Sequence, residues 1–129
     1  MILDTTFIID LLNKEIEAVK KAEELDKKVI PVLTTTITVF EIWQGISDIK
    51  NKEKLEKINK LLSSIGLLSL DVESAKESGR IHANLYSSGT PIEPEDSMIA
   101  GICLKNNHTL LTRNIKHFSK IKNLEIETY

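Results

Sequence analysis

Short apolar runs alternate with longer amphipathic segments along this chain, and the alternation predicts strands separated by helices. The runs short enough for strands are Ile2–Asp4, Val29–Leu33, Leu67–Leu70, Thr109–Thr112 and Leu124–Thr128. Helical periodicity is found over Thr5–Asn13, Glu15–Lys27, the segment from Phe40 to Ile46, Lys52–Ile65, Val72–Ser87, Glu95–Asn106 and Ile115–Phe118. Such an arrangement is typical of an α/β fold in which helices cover both faces of a parallel sheet.

One charged residue interrupts the apolar start of the chain. Asp4 lies where the first strand stops, with apolar residues on both sides. Asp10, in contrast, shares a helix face with Thr6 and Asn13, so we expect it to reach water. Burying an unpaired charge is costly. Asp4 is therefore expected to cap the first helix, to bind a ligand or to carry a shifted pKa.

The bulk composition fits one globular domain over residues 1–129. The chain is 41% hydrophobic and 28% charged, with a net charge of −2, which does not indicate a general binder of polyanions. Its single cysteine, Cys103, excludes an internal disulfide framework and favours a reducing compartment. We find no bilayer-length apolar run and no signal-peptide pattern, so we expect a cytoplasmic protein without a membrane partner.

Acidic residues follow several predicted strands. Asp4 ends the first strand, Glu41 lies early in the helix after the second, and Asp96 opens a nearly all-apolar helix. Each has an ordinary structural explanation, including a capping box from Thr38 to Glu41 and a favourable helix dipole at Asp96. However, Asp96 shares its helix face with apolar residues, and ligands of parallel sheets bind beyond the carboxyl ends of the strands.

Carboxylates that converge at one sheet edge repel each other unless a cation joins them. Oxygen ligands suit Mg²⁺ or Mn²⁺, which bind phosphate and activate water. The sequence contains no zinc-type cysteine and histidine spacing, no Walker loop and no GxGxxG motif. Its three histidines, His82, His108 and His117, are interpreted as isolated surface or packing residues.

Four segments in order carry a family resemblance: MILDTTFIIDLL, TTTITVFEIWQGI, PIEPEDSMIAGICLKNN and TLLTRNIKHFSKIKNLEI. Together they resemble the PIN-domain ribonucleases, specifically the VapC-type toxins of VapBC toxin–antitoxin systems. The resemblance implies a PIN-like three-layer α/β sandwich with a mainly parallel central sheet. It implies a divalent-metal site, for Mg²⁺ or Mn²⁺, made by Asp4, Glu41 and Asp96. It also implies cleavage of single-stranded or loop RNA, a homodimer and a small VapB-like antitoxin.

Supporting positions follow from the same resemblance. Thr5 matches a threonine after the first acid, and Thr112 matches a small hydroxyl residue near the metal. Many members place a fourth acid where this chain has Asn114 or His117, so Asn114 is predicted to be a weak or indirect ligand. Glu95 is a less favoured substitute for that acid.

Two further features have open interpretations. Arg113 is a candidate contact for the RNA phosphate, or a surface residue with a structural pairing. Trp43, with Ile42 and Ile46, forms an apolar helix face that either packs in the core or meets a second subunit or the antitoxin.

Three other functions share some of these sequence features. A phosphoacceptor receiver domain would need paired acids after the first strand and a lysine after the fifth, which this chain lacks. An inactive PIN scaffold that binds RNA or a partner is favoured by Asn114. A PIN nuclease that processes RNA, rather than a toxin, would carry the same residues.

Overall fold

A computed structural model describes residues 1–46 and 50–129. The strands in these ranges are β1 (Ile2–Leu3), β2 (Leu33–Thr35), β3 (Gly66–Leu68), β4 (Leu110–Leu111) and β5 (Ile126–Glu127). The helices are α1 (Thr5–Leu12), α2 (Ile16–Lys27), α3 (Thr36–Ile46), α4 (Lys52–Ser64), α5 (Val72–Ser87), α6 (Pro94–Lys105) and α7 (Ile115–Phe118). The predicted alternation of strands and helices is confirmed. No helix in the described ranges is long and apolar enough to cross a membrane.

The five described strands form one sheet in the order β3-β2-β1-β4-β5, and all neighbouring pairs are parallel. The first strand is therefore central: Ile2 pairs with Leu33 on one side and with Leu110 on the other. Helices cover both faces, so the predicted three-layer α/β sandwich with a parallel sheet is confirmed.

The hydrophobic core is divided into two clusters, because side chains of the neighbouring strands β1 and β4 alternate between the two faces of the sheet. Successive strand residues point to opposite faces of a sheet. Ile2 and Leu110 accordingly pack with residues of α5, α6 and α7, whereas Leu3 and Leu111 pack with residues of α1, α2, α3 and α4. Each face of the sheet thus has its own apolar cluster, and the ends of β1 and β4 lie between the two.

Among the described helices, α5 and α6 pack against each other most extensively. A Cβ atom built on Gly101 would lie 2.1 Å from Ser78 Oγ and 2.8 Å from the Ser74 carbonyl oxygen. The Ser78 hydroxyl itself donates to the Ser74 carbonyl at 2.7 Å. Glycine at residue 101 therefore permits an approach that no larger residue would allow, and this approach fixes the position of α6.

The second strand lies further along the chain than predicted. It covers Leu33–Thr35 rather than Val29–Leu33, and Val29 is fully exposed. Pro31 has no backbone N–H for the ladder, whereas the Thr34 hydroxyl donates to the Leu3 carbonyl at 2.8 Å and so satisfies a buried polar group. The threonine run is therefore part strand and part helix start, with Thr35 Oγ1 accepting from the Thr38 backbone N–H at 3.0 Å.

Candidate active site

A cleft of about 460 Å³ opens at the carboxyl end of the sheet, beside β1 and β4. It brings together the three acids predicted from the sequence, although they come from distant parts of the chain. The described residues that line it are Asp4, Thr5, Thr6, Ile9, Glu41, Gln44, Glu93, Glu95, Asp96, Asn114 and His117. Five of these are carboxylates, and none is lysine or arginine.

Asp4 stands directly after β1, at the N-cap position of α1, but its side chain makes no capping hydrogen bond. Its Oδ2 atom accepts from the Thr112 hydroxyl at 2.6 Å and from the Thr6 hydroxyl at 2.8 Å. The Thr112 hydroxyl in turn accepts from the Asn114 backbone N–H at 2.9 Å. Only 3% of Asp4 is exposed, so hydroxyl donors compensate its charge in place of water.

Glu41 reaches the cleft from α3. Because α3 begins at Thr36, the predicted capping box between Thr38 and Glu41 is wrong, and Glu41 instead accepts a hydrogen bond from the Thr5 hydroxyl. Burial raises the pKa of Glu41, and the charges of Asp4 and Asp96 raise it further, against the opposing effect of Thr5. The negative charge of Glu41 is therefore disfavoured first by burial and then by the neighbouring carboxylates of the cleft.

Asp96 lies in the first turn of α6 and is 9% exposed, as its apolar helix face predicts. Its Oδ2 atom is 2.7 Å from His117 Nδ1, and that nitrogen is 2.9 Å from Asn114 Nδ2. Burial raises the pKa of Asp96, while His117 lowers it and the charges of Asp4 and Glu93 raise it. Asp96 and the turn after β4 thus form one connected group.

Sequence analysis missed several residues of this site, among them Thr6, which donates to Asp4. The interpretation of His117 as an isolated residue is wrong, because it contacts Asp96 in the cleft. Asn114 and His117 are three residues apart, a spacing that places both on one face of the short helix α7. This spacing is the sequence signal that points to His117. Glu93, which precedes α6, also lines the cleft.

The expectation that Asp10 reaches water is also wrong. Asp10 is 7% exposed, and its Oδ2 atom accepts from the Tyr129 hydroxyl and from Arg113 Nη2, both at 2.6 Å. These partners are more than one hundred residues away, so helix periodicity could not predict them. Arg113 therefore has the structural pairing that was considered for it, and it lies beside the cleft rather than among its lining residues.

The chemistry of the donor set fits a hard divalent cation. Carboxylate, hydroxyl and amide oxygens predominate, with one imidazole and no thiol among the described lining residues. In the present side-chain arrangement, however, no three His, Cys, Asp or Glu side chains of the described chain are grouped closely enough to hold an ion. The carboxylates of Asp4, Glu41 and Asp96 each contact a different partner within the protein instead.

Comparison with known proteins agrees with this geometry. Residues 1–124 match the PIN domain family. The chain is 29% identical to ribonuclease VapC2 of Rickettsia felis over 128 residues, covering 98% of this chain and 96% of the relative. It is 27% identical to the tRNA(fMet)-specific endonuclease VapC of Salmonella typhimurium, with the same coverage.

A solved structure of a VapBC complex has the same fold as this chain. The crystal structure of VapBC2 from Rickettsia felis bound to a promoter DNA fragment superposes on this chain with a TM-score of 0.88. The sequences are 28% identical, and the match covers 99% of this chain and 97% of the other. With the acids of the cleft at the carboxyl ends of the strands, these relationships establish that the chain belongs to the PIN domain family, as a ribonuclease of the VapC type.

Proposed function

We propose that the chain hydrolyses internal phosphodiester bonds of single-stranded or loop RNA in the acidic cleft, and that it is the toxin of a type II toxin–antitoxin pair in the cytoplasm. The observation that carries the proposal is the meeting of Asp4, Glu41 and Asp96 in one cleft, although they come from distant parts of the chain. Carboxylates in this relationship favour a bound cation, because a cation relieves their repulsion.

In this proposal Asp4, Glu41 and Asp96 are the residues that would hold Mg²⁺ or Mn²⁺. When bound, the ion would supply positive charge for the phosphate and would activate the attacking water. Thr5 orients Glu41, whereas Thr6 and Thr112 orient Asp4 through the hydrogen bonds described above. Asn114 and His117 stay beside Asp96, where Asn114 is a weak or indirect ligand.

The proposed macromolecular partners follow from the relatives. The Rickettsia felis structure is a VapBC complex, and the Salmonella relative is named for a transfer RNA substrate. We propose a VapB-like antitoxin and a homodimer for this chain. On α3, Ile42 and Ile46 are buried in the core, but Phe40 and Trp43 remain 53% and 43% exposed, which favours a protein partner for that side of the helix.

The second candidate function is an inactive PIN scaffold that binds RNA or a partner. It is favoured by Asn114, which stands in a place where many members carry an acid, and by the separate hydrogen-bond partners of the three acids. An inactive scaffold would show no saturable Mn²⁺ binding that depends on Asp4 and Asp96. A PIN nuclease that processes RNA would be distinguished by the absence of an adjacent antitoxin gene.

The deciding experiment is cleavage of total RNA with mapping of the cut ends, in Mg²⁺ or Mn²⁺. Wild type is expected to leave 5′-phosphate and 3′-hydroxyl ends, and Asp4→Asn is expected to lower the rate at least about a hundredfold, as loss of a charge-stabilising group does. Asp26→Asn, at an exposed position on α2, is the matched control. A folded Asp4→Asn chain that cleaves as fast as wild type would remove the proposal.

A further inference from the structure

Arg113 is held next to the cleft by contacts that the proposed reaction does not explain. Its Nη2 atom pairs with Asp10, and its guanidinium carbon lies 5.7 Å from the centre of the Tyr129 ring. The Tyr129 hydroxyl donates to the same Asp10 oxygen as Arg113 does. The Tyr129 ring is anchored in turn, edge-on to the buried Phe7 ring, with centres 4.8 Å apart. The guanidinium is thus held both by the ion pair with Asp10 and by a cation–π contact with the Tyr129 ring.

This anchored arginine is adjacent to the acids of the cleft. Arg113 lies in the chain between Thr112, which donates to Asp4, and Asn114, which lines the cleft. Its backbone N–H donates a long hydrogen bond of 3.5 Å to Thr6 Oγ1, and Thr6 is also bonded to Asp4. Asp10 follows Thr6 by four residues, about one turn along α1. The ion pair therefore marks the α1 side of the cleft.

The charges indicate what this arginine can bind. An RNA strand must bring anionic phosphates to a cleft lined by five carboxylates and, among the described residues, by no lysine or arginine. The Asp10 side chain is 10% exposed, whereas that of Arg113 is 56% exposed, so the cation is on the solvent side of the pair. Of the guanidinium nitrogens, only Nη2 has a hydrogen-bond partner in the described chain, which leaves the N–H groups of Nε and Nη1 to donate to phosphate oxygens.

We propose that Arg113 binds an RNA phosphate next to the scissile one, and that Asp10 and Tyr129 are positioning residues that hold its guanidinium for this contact. The proposal rests on the proposed ribonuclease function. Asp10 supplies the charge that orients Arg113. The Tyr129 hydroxyl, whose pKa is raised by burial and by Asp10, stays protonated and keeps Asp10 in place.

The test measures binding of a fluorescent single-stranded RNA to chains that carry Asp4→Asn to prevent cleavage. Three further variants are made in this Asp4→Asn background: Tyr129→Phe, Arg113→Ala and the double variant that carries both substitutions. Arg113→Ala is expected to weaken binding about tenfold, the loss of one hydrogen-bonded charge contact. It should also lower the slope of log K against log salt by about 0.7, for one phosphate contact on a single strand. Tyr129→Phe keeps the ring and should weaken binding severalfold, but only while Arg113 is present.

Arg80→Ala is the matched control, because Arg80 is also exposed and paired with a carboxylate, Glu77, but on α5. It should leave affinity and salt slope unchanged. Additive effects of Tyr129→Phe and Arg113→Ala would overturn the positioning role, and an unchanged salt slope in Arg113→Ala would overturn the phosphate contact. If the chain without Asp4→Asn cleaves no RNA while Arg113→Ala still weakens binding, the nuclease proposal fails and the phosphate contact stands.

Discussion

The hydroxyl of Thr112 donates a hydrogen bond of 2.6 Å to Oδ2 of Asp4 and so joins the ends of two neighbouring strands. Both residues are buried, and Thr6 donates to the same carboxylate oxygen. In the described part of the chain Oδ1 receives no hydrogen bond from a side chain, so this oxygen remains available to a ligand. The relationship explains how a carboxylate persists at the end of a strand in the centre of an apolar sheet.

Replacing Thr112 by valine keeps the shape of the side chain but removes this donor. We expect Thr112→Val to lower the free energy of unfolding by about 1.5–3 kcal/mol, the usual range for a hydrogen bond to a charged group. We also expect slower RNA cleavage, because Asp4 is no longer oriented. Urea denaturation and a cleavage assay measure the two effects. Thr112→Ser retains the hydroxyl and should keep most of the stability and most of the cleavage rate of wild type. If Thr112→Ser is as unstable as Thr112→Val, the role of the hydrogen bond is contradicted.

The raised pKa of Glu41 makes this carboxylate a destabilising charge at neutral pH in the absence of metal. The folded chain holds the Glu41 proton more tightly than the unfolded chain does. The contribution of Glu41 to stability is therefore fully present below its ordinary pKa of 4.5 and is lost as pH rises through the raised value. In EDTA at pH 7, Glu41→Gln should melt a few degrees above wild type, as an increment of about 1 kcal/mol would produce.

The same comparison at pH 4 should show a much smaller difference, because Glu41 is then largely protonated in both states. Scanning calorimetry in matched buffers gives the melting temperatures. Glu23→Gln, at an exposed position on α2, should show neither the stabilisation nor its pH dependence. A gain in melting temperature that is the same at both pH values would show that the charge of Glu41 is not its cause.

Divalent cations should stabilise the folded chain, because an ion that binds only the folded state adds RT ln(1 + [L]/Kd) to its stability. Mn²⁺ or Mg²⁺ added after EDTA treatment should raise the melting temperature of wild type, and Asp96→Asn should largely abolish the rise. Asp26→Asn should retain it. This measurement does not depend on RNA cleavage, and an equal rise in Asp96→Asn would exclude Asp96 as a ligand.

The contact between α5 and α6 predicts opposite effects for two glycines. Gly101→Ala would place a methyl group against Ser78 Oγ and against backbone, so we expect a loss of about 1–3 kcal/mol, as for other overpacked sites. Gly79→Ala has open space around its Cβ and should gain about 0.5–1 kcal/mol from helix propensity. Urea denaturation distinguishes the two. If Gly101→Ala is as stable as wild type, α5 and α6 are not as close as described.

Sequence patterns predicted the helices better than the strands, for a physical reason. Amphipathic periodicity fixes long elements such as Val72–Ser87, whose bounds agree with α5. The strands have only two or three residues, so their limits depend on neighbours in the sheet. That is why the second strand was placed too early.

The same limit applies to the site. Asp4, Glu41 and Asp96 could be found because they interrupt or open apolar segments. The contacts of Asp10 with Tyr129 and of Asp96 with His117 join residues that are distant in the chain, so local periodicity could not predict these contacts. The metal role of the three acids therefore stays a prediction that the experiments above address.

The central position of the first strand has a consequence for how this nuclease is made. Asp4 and the strand that completes its surroundings, β4, are separated by about a hundred residues of the chain. At usual translation speeds the interval is about 5–20 s. A growing polypeptide therefore lacks the Thr112 donor to Asp4, and with it a complete cleft, until β4 has been synthesised.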